Sequence, residues 1–593
     1  MQDDHRYISQ RIINACLREN VCEIVSLGQI IRSSELNMTR YWPEVEPEFW
    51  LIIKHVCTDI LYVPVFESHY MQEWQTISAS WLIETSQGIE YGTGFKGWLT
   101  AISFNLSIEE KLFFNNYIDE ANCAEEHRGL CMKAYCEHVS LLNKPLSEME
   151  HWHQQLLHSD QVASYLDHPY YPTARAKFGF DTKDLVAYAP EFSTSFLLNW
   201  VAIRNEKATL ISQQPNCWPT FKEVGLSDDL VDTYQLFPVH PLTFKTLKEI
   251  DGDVLLAPKA QLRVLPTLSV RTVVVEKSPE IHIKVPLIMA TLGNKNIRLI
   301  KSSTLYDGYW FEKVLTQLEQ QDLKLQGLYS HCHESHGGHV GDIKELAYIV
   351  RQYPPSMHCK MLVPIAALAS EMPDKKLYLS HLIDRFYQGN VSLWLDEYLT
   401  LLLSVHLRLW LKYGIALESN QQNAVLAFSA EQPLTLVMKD NDSARILASR
   451  FINNVHDSDA AKAQIELLID QRILVENDIS LAEMFTTITL QLDIAAIFES
   501  MAKYQLMPLD YLYKQLRKVL TTELNKLDAE GVDTQYAREF FFDSTHQPAK
   551  YLLSSGSLLS KSVSGASDIN KFYGNTAPNF LHKDFVIKSL PCL

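Results

Sequence analysis

Between residues 417 and 428 apolar and polar positions alternate with a period of two, which predicts a strand carrying Glu418, Asn420 and Gln422 on one face. Ser429-Ala-Glu-Gln-Pro433 then reads as a turn, and a second apolar run follows from Leu434 to Asp440. If Phe428 pairs with Leu434, that register sets Gln422 opposite Asp440. The same alternation, read over 263–275 and 281–292, predicts two more strands joined by Glu276-Lys-Ser-Pro-Glu280. Ser269 and Arg271 then share one face, and Lys284 sits across the hairpin at a similar height. A solvated sheet face would give the same alternation in either place.

Helical spacing dominates elsewhere. Residues 1–180 read as mainly helical, with apolar periodicity over 12–17 and 106–117. Residues 181–375 hold the strand-rich part, Glu371-Met-Pro-Asp-Lys-Lys376 reads as a joint, and 376–593 read as mainly helical with the hairpin described above. The most apolar run, 399–411, is interrupted by His406 and Arg408 and closed by Lys412, so it predicts a buried helix, not a membrane span.

Composition narrows the function classes. A chain of 593 residues exceeds one ordinary core, so two or three domains are expected. Hydrophobic content of 47% with 21% charged residues describes a soluble globular protein. A formal charge of −18 argues against nucleic acid and anionic membrane as general partners, because both require a basic face. The first residues are acidic and polar with no apolar segment after them, and the ten cysteines form no Cys-x-x-Cys pair. A reduced, cytoplasmic protein is the expectation.

Four segments resemble one family, in that family's order. Tyr413-Gly-Ile-Ala-Leu-Glu418 with Gln422, Asn423 and the downstream Asp440 resembles the C-terminal signature of the NRPS-independent siderophore synthetases, the aerobactin-synthetase-like enzymes. Pro266-Thr-Leu-Ser269-Val-Arg271-Thr272 is similar to their nucleotide segment. Asp167-His168-Pro169-Tyr-Tyr171-Pro172 with Arg175, Lys177 and Gly179-Phe180 resembles their His-Pro motif, and Pro238-Val-His240-Pro241 a further element.

The resemblance implies an α+β, multi-lobed cupped-hand fold. A helical N-terminal, thumb-like lobe would span 1–180, a central antiparallel-sheet ATP-binding, fingers-like lobe 181–375, and a mainly helical palm-like lobe with a β-hairpin 376–593. It implies adenylation of a small polycarboxylic acid by ATP (citrate, a citryl monoamide or 2-oxoglutarate) and transfer of the acyl group to an amine or alcohol. ATP contacts would come from His168, Ser269, Arg271, Lys284, Thr291, Gln422 and Asn423, and Mg²⁺ contacts from Glu418 and Asp440. Lys295 or Arg298 would bridge the substrate carboxylate and the α-phosphate, and Asn420 would orient the acid. The partners would be small molecules, with no nucleic acid and no membrane, and a homodimer is admitted.

The chain departs from the family pattern at several of these places. Asn420 stands where the pattern has histidine, Tyr171 where it has a second histidine, and Lys295 where arginine is usual, while Arg175 and Lys177 exchange lysine and arginine. These changes suggest a different carboxylate or a different way of orienting it. Two alternatives compete. His331-Cys332-His333-Glu334-Ser-His336-Gly-Gly-His339 reads as a glycine-loosened loop able to take a metal, the key feature of a non-enzymatic iron- or siderophore-binding protein. The chain also reads as a scaffold without activity, although a scaffold needs none of Ser269, Arg271, Lys284, Glu418 and Asp440.

Overall fold

The computed structural model describes residues 2–588 except 250, 251, 292, 294, 295, 456 and 565–570. Helix Gln2–Arg18 opens the chain and packs with helices Gly94–Ile102 and Ile108–Glu137. Ser107 caps the last of these in a capping box with Glu110. Between them lies a six-stranded antiparallel sheet that the helical reading of 1–180 does not contain. Its central strands, Phe49–Ile53 and Ile60–Glu67, are buried almost throughout. A strand covered on both faces shows no alternation and cannot be told from buried helix by period alone. The helices close over this sheet through Ile8, Ile12, Leu51, Val63, Trp81 and Trp98.

The middle of the chain forms a nine-stranded antiparallel sheet, as the strand-rich expectation required. The stretch 263–275 is not one strand, however. Gln261–Pro266 turns back on Thr272–Val275, with Val264 opposite Val275 and Pro266 opposite Val273. Proline has no N–H for a ladder, and Val270 takes a left-handed φ of 64°, so the chain folds at 267–271. Thr272–Val275 pairs in turn with Ser278–Lys284, which brings Lys284 opposite Thr272 and next to Arg271.

A four-stranded sheet joins Tyr329–His331, Thr435–Met438, Ala424–Phe428 and Met361–Pro364 in that order, so chain on both sides of residue 375 shares one sheet. Ala424 opposes Met438 and Ala427 opposes Thr435, the register read from the sequence. The strand begins only at Ala424, though; residues 417–420 are irregular and 421–423 form a turn. The apolar run at 399–411 lies in the buried helix Val391–Tyr413, which Leu509–Ala529 covers. Gly414 ends that helix at φ 68°, and a Cβ there would stand 2.9 Å from the Leu447 carbonyl oxygen. The stretch Asp478–Lys503 is long and apolar enough to cross a membrane by length and composition, but 94% of that window is buried inside the protein.

Candidate active site

Segments far apart in the sequence meet around a cavity of about 380 Å³. His168, from the segment after helix Trp152–Ser164, lines it beside Ser269, Arg271 and Lys284 from the central sheet. Thr291 and Arg298 come from the connection after that sheet, and Glu418, Asn420, Gln422, Asn423 and Asp440 from the C-terminal sheet's loops. Lys295 lies outside the described residues.

The local geometry differs from two extended strand faces. Asn420 organises a turn: its Oδ1 accepts the Gln422 N–H at 3.1 Å, and its carbonyl accepts those of Asn423 and Ala424 at 2.7 and 2.9 Å. Side-chain bonding of this kind competes with a ladder, which is why alternation alone misreads the stretch as strand. At the other hairpin, Ser269 Oγ accepts the Thr272 N–H at 3.0 Å and the Arg271 carbonyl accepts the Val285 N–H at 3.0 Å. Ser269 and Arg271 therefore sit on a hairpin tip and still face the cavity.

Charge in the cavity is largely paired. Lys284 Nζ bonds Asp440 Oδ1, Lys550 Nζ lies 3.2 Å from Glu418 Oε1, and Lys177 Nζ lies 2.5 Å from Glu191 Oε1. Arg175 is held by Asp167 at 2.8 Å and Glu191 at 3.1 Å. Burial pushes the Asp440 carboxyl up, but Lys284, Arg351 and Arg271 outweigh it and hold it below the usual carboxylate range. Asp442, half-buried beside Asp440 and Glu334, is raised by desolvation and by those two charges, against the pull of Lys284.

Two arginines are the exception. Arg271 Nη1 donates only to backbone, the carbonyls of Arg298 and Leu299 at 3.0 and 2.8 Å. Burial and the Arg298 charge pull its pKa down to about 9. Arg298 is lowered by burial too, and its Nε meets no hydrogen-bond partner among the described residues. A desolvated guanidinium pair of this kind is suited to an anion. His168 is different: burial, then Arg11, Arg18 and Lys550, push its pKa down to about 3, so the ring is neutral. Its Nδ1 accepts the Tyr171 N–H at 3.1 Å, which leaves Nε2–H as the donor.

A family model for the IucA / IucC family matches residues 155–370, which hold His168, Ser269, Arg271, Lys284, Thr291 and Arg298. Staphyloferrin B synthase of Staphylococcus aureus is 25% identical over 584 residues, covering 92% of this chain and 93% of that protein. The likeness to the IucA / IucC family thus covers residues 155–370, and the likeness to staphyloferrin B synthase nearly the whole chain.

Solved structures extend the likeness in fold to nearly the whole chain. ATP-bound aerobactin synthetase IucA from Klebsiella pneumoniae superposes with a TM-score of 0.69 at 15% identity, covering 98% of this chain and all of that one. Petrobactin biosynthesis protein AsbB from Bacillus anthracis gives 0.74 at 15% identity, with 97% and 95% covered. A second model, ferric iron reductase FhuF-like transporter, matches residues 392–559. The described cysteines are free and scattered, and Cys592 lies outside the described residues.

The histidine-rich segment is not a loop. It forms strands Tyr329–His331 and His333–Val340, and its histidines go to different partners: His331 to Asn441, His333 to Glu312, His336 to Ser212 and His339 to Tyr306. Gly337 and Gly338 are there for close packing; a Cβ would stand 2.7 Å from the Tyr348 carbonyl oxygen at Gly337 and 2.9 Å from the Phe237 ring at Gly338. No three His, Cys, Asp or Glu groups among the described residues close on one point. Glu418, Asp440 and Asp442 nevertheless all line the cavity, and Mg²⁺ is held by one or two carboxylates together with water and substrate phosphates. That donor set fits the ion.

Sequence reasoning passed over Lys550 and Asp442. The two-residue spacing of Asp440 and Asp442 was a usable signal, whereas nothing around Lys550 marks it. The departures at 171, 175 and 177 find structural reasons: Tyr171 is fully buried with its hydroxyl on Glu120 at 2.8 Å, and Arg175 and Lys177 share the buried Glu191.

Proposed function

We propose that the protein is an ATP-dependent synthetase of siderophore assembly. It converts one carboxyl group of a small polycarboxylic acid into its adenylate with release of pyrophosphate. It then passes the acyl group to an amine or alcohol, forming an amide or ester. The observation that carries this reading is the pair Arg271 and Arg298, whose half-buried guanidinium charges share the cavity with Lys284 and with the carboxylates of Glu418, Asp440 and Asp442. Such a site suits a triphosphate, a divalent cation and a carboxylate together.

In this reading Arg271 and Lys284 take phosphate oxygens, the arginine as a planar fork and the lysine as a point charge. Arg298, with Lys295, meets the acid's carboxylate where it approaches the α-phosphate. Neutral His168 donates Nε2–H, and Ser269 and Thr291 supply hydroxyls beside it. Glu418 and Asp440, with Asp442 adjoining, would hold Mg²⁺, which when bound offsets phosphate charge. Asn420 holds the turn that presents Gln422 and Asn423, and itself gives the acid one neutral hydrogen bond. Among the relatives, L-2,3-diaminopropanoate–citrate ligase supports citrate as the acid and an amine as the acceptor; a citryl monoamide and 2-oxoglutarate stay as the other candidate acids. Free cysteines suit a reducing cytoplasm.

A panel of acids and amines, screened by pyrophosphate release with mass spectrometry of the products, tests the reading. Release that needs both ATP and one particular acid supports it. Absence of ATP binding in the presence of Mg²⁺ overturns it.

A further inference from the structure

Asp440 is held from behind the cavity as well as from within it. Glu334, in strand His333–Val340, accepts the Asp440 backbone N–H through Oε2 at 3.1 Å. Its other oxygen, Oε1, accepts from Arg351 Nε, and Arg351 Nη2 lies 3.7 Å from Asp440 Oδ1. The three residues close a ring in which one carboxylate grips the backbone and one guanidinium faces both carboxylates. The side chains of Arg351 and Glu334 are 4% and 6% exposed, and neither lines the cavity. Both stand on neighbouring strands of the central sheet, whereas Asp440 follows a strand of the C-terminal sheet.

Asp440 has need of such a holder. Its φ of 61° is left-handed, a conformation that persists in a non-glycine residue only where surroundings enforce it. Its Oδ1 is addressed by two cations, Lys284 from the cavity side and Arg351 from behind. An anion entering the cavity competes for Lys284, and a half-buried carboxylate stripped of every cation would neutralise or swing away. Arg351 is the partner that stays.

We propose that Glu334 and Arg351 are positioning residues that fix Asp440, so that Lys284 can leave it for a triphosphate while the Asp440 carboxylate keeps its place. The inference rests on the nucleotide reading of this cavity, and two independent readouts keep the two apart.

The first readout is hydrogen–deuterium exchange of the full chain without ligand. Arg351→Gln and Glu334→Gln are expected to speed exchange at 439–442 by about tenfold or more, since a glutamine at 334 has one acceptor oxygen for two donors. Arg351→Lys, which keeps the charge but not the fork, is expected to fall between them and the wild type. The second readout is calorimetric titration with ATP at graded Mg²⁺. In Arg351→Gln the Mg²⁺ needed for half-maximal ATP binding should rise about ten- to a hundredfold, with metal-free ATP binding little altered.

Exchange at 439–442 and Mg²⁺ requirement both within about twofold of wild type, in a folded Arg351→Gln or Glu334→Gln protein, would overturn the proposal. So would faster exchange spread over the whole sheet. If the wild type binds no ATP, the nucleotide reading falls, and exchange alone decides whether this pair holds Asp440.

Discussion

Replacing Arg271 by alanine removes a cation that the fold has already desolvated, so the expected loss can be worked from its contacts. Nη1 holds the carbonyls of Arg298 and Leu299 at 3.0 and 2.8 Å. Hydrogen bonds to a charged donor contribute roughly 1.5–3 kcal/mol each, but these carbonyls border an open cavity where water can replace the donor, so the structural cost is nearer 1–2 kcal/mol in all. Loss of one preorganised donor aimed at developing charge costs about 2.7–4 kcal/mol in the transition state, a factor of roughly 10²–10³. Catalysis should therefore fall much further than stability. Acid-dependent pyrophosphate release, measured at saturating ATP on the same sample used for thermal melting, separates the two. Arg271→Lys should fall between, because a point charge cannot hold two carbonyls and a phosphate together. A folded Arg271→Ala protein turning over within about threefold of wild type would refute the reasoning and remove this hairpin tip from the chemistry.

Other residues give separate tests. Arg298→Ala should abolish activity or raise the KM for the acid strongly, whereas Asn420→Ala should cost only about tenfold, one neutral hydrogen bond; kinetics across the acid panel would show the reverse order if Asn420 were the principal contact. His406 is buried, with an Nε2 that meets no partner among the described residues, and its pKa is pushed down to about 4 from an ordinary 6.5 by burial. The unfolded chain then takes up the proton first, so stability is full above the ordinary value and is lost at about 1.4 kcal/mol per unit as pH falls toward 4. Relative to wild type, His406→Leu should therefore gain stability as pH falls from 6.5 to 4.5 in urea melts; a constant difference over that range would contradict the sign. Changing His333 and His336 to alanine should leave pyrophosphate release and metal content unchanged, and loss of tightly bound zinc together with activity would restore the metal reading.

The sequence carried the hairpin register of the C-terminal sheet because both strands are short, apolar and joined by an evident turn. It did not carry the start of the first strand, since Asn420 bends the chain through its own side chain while leaving the alternation intact. The same holds at 267–271, where Val270 adopts a left-handed φ that no composition rule assigns to valine. The N-terminal sheet was hidden because Phe49–Ile53 is buried on both faces. At the site, the motif residues were legible because four short segments resemble one family in that family's order, and the structure brings the segments around His168, Ser269 and Glu418 to one cavity. Lys550 was not, since it reaches Glu418 from a strand more than a hundred positions away, and long-range pairing leaves no local trace. Glu334 and Arg351 were obscured for another reason: the first lay inside a histidine-rich run that drew a metal interpretation, and the second inside an apolar strand.

Adenylation itself is the central claim, and oxygen transfer tests it most directly. The acid that supports turnover is labelled with ¹⁸O in its carboxyl groups, and the nucleotide product is weighed by mass spectrometry. Attack of the carboxylate on the α-phosphorus, followed by displacement by the amine or alcohol, predicts AMP carrying one ¹⁸O in its phosphate and pyrophosphate carrying none. Label in inorganic phosphate with ADP as the nucleotide product, or AMP free of label, would contradict the account.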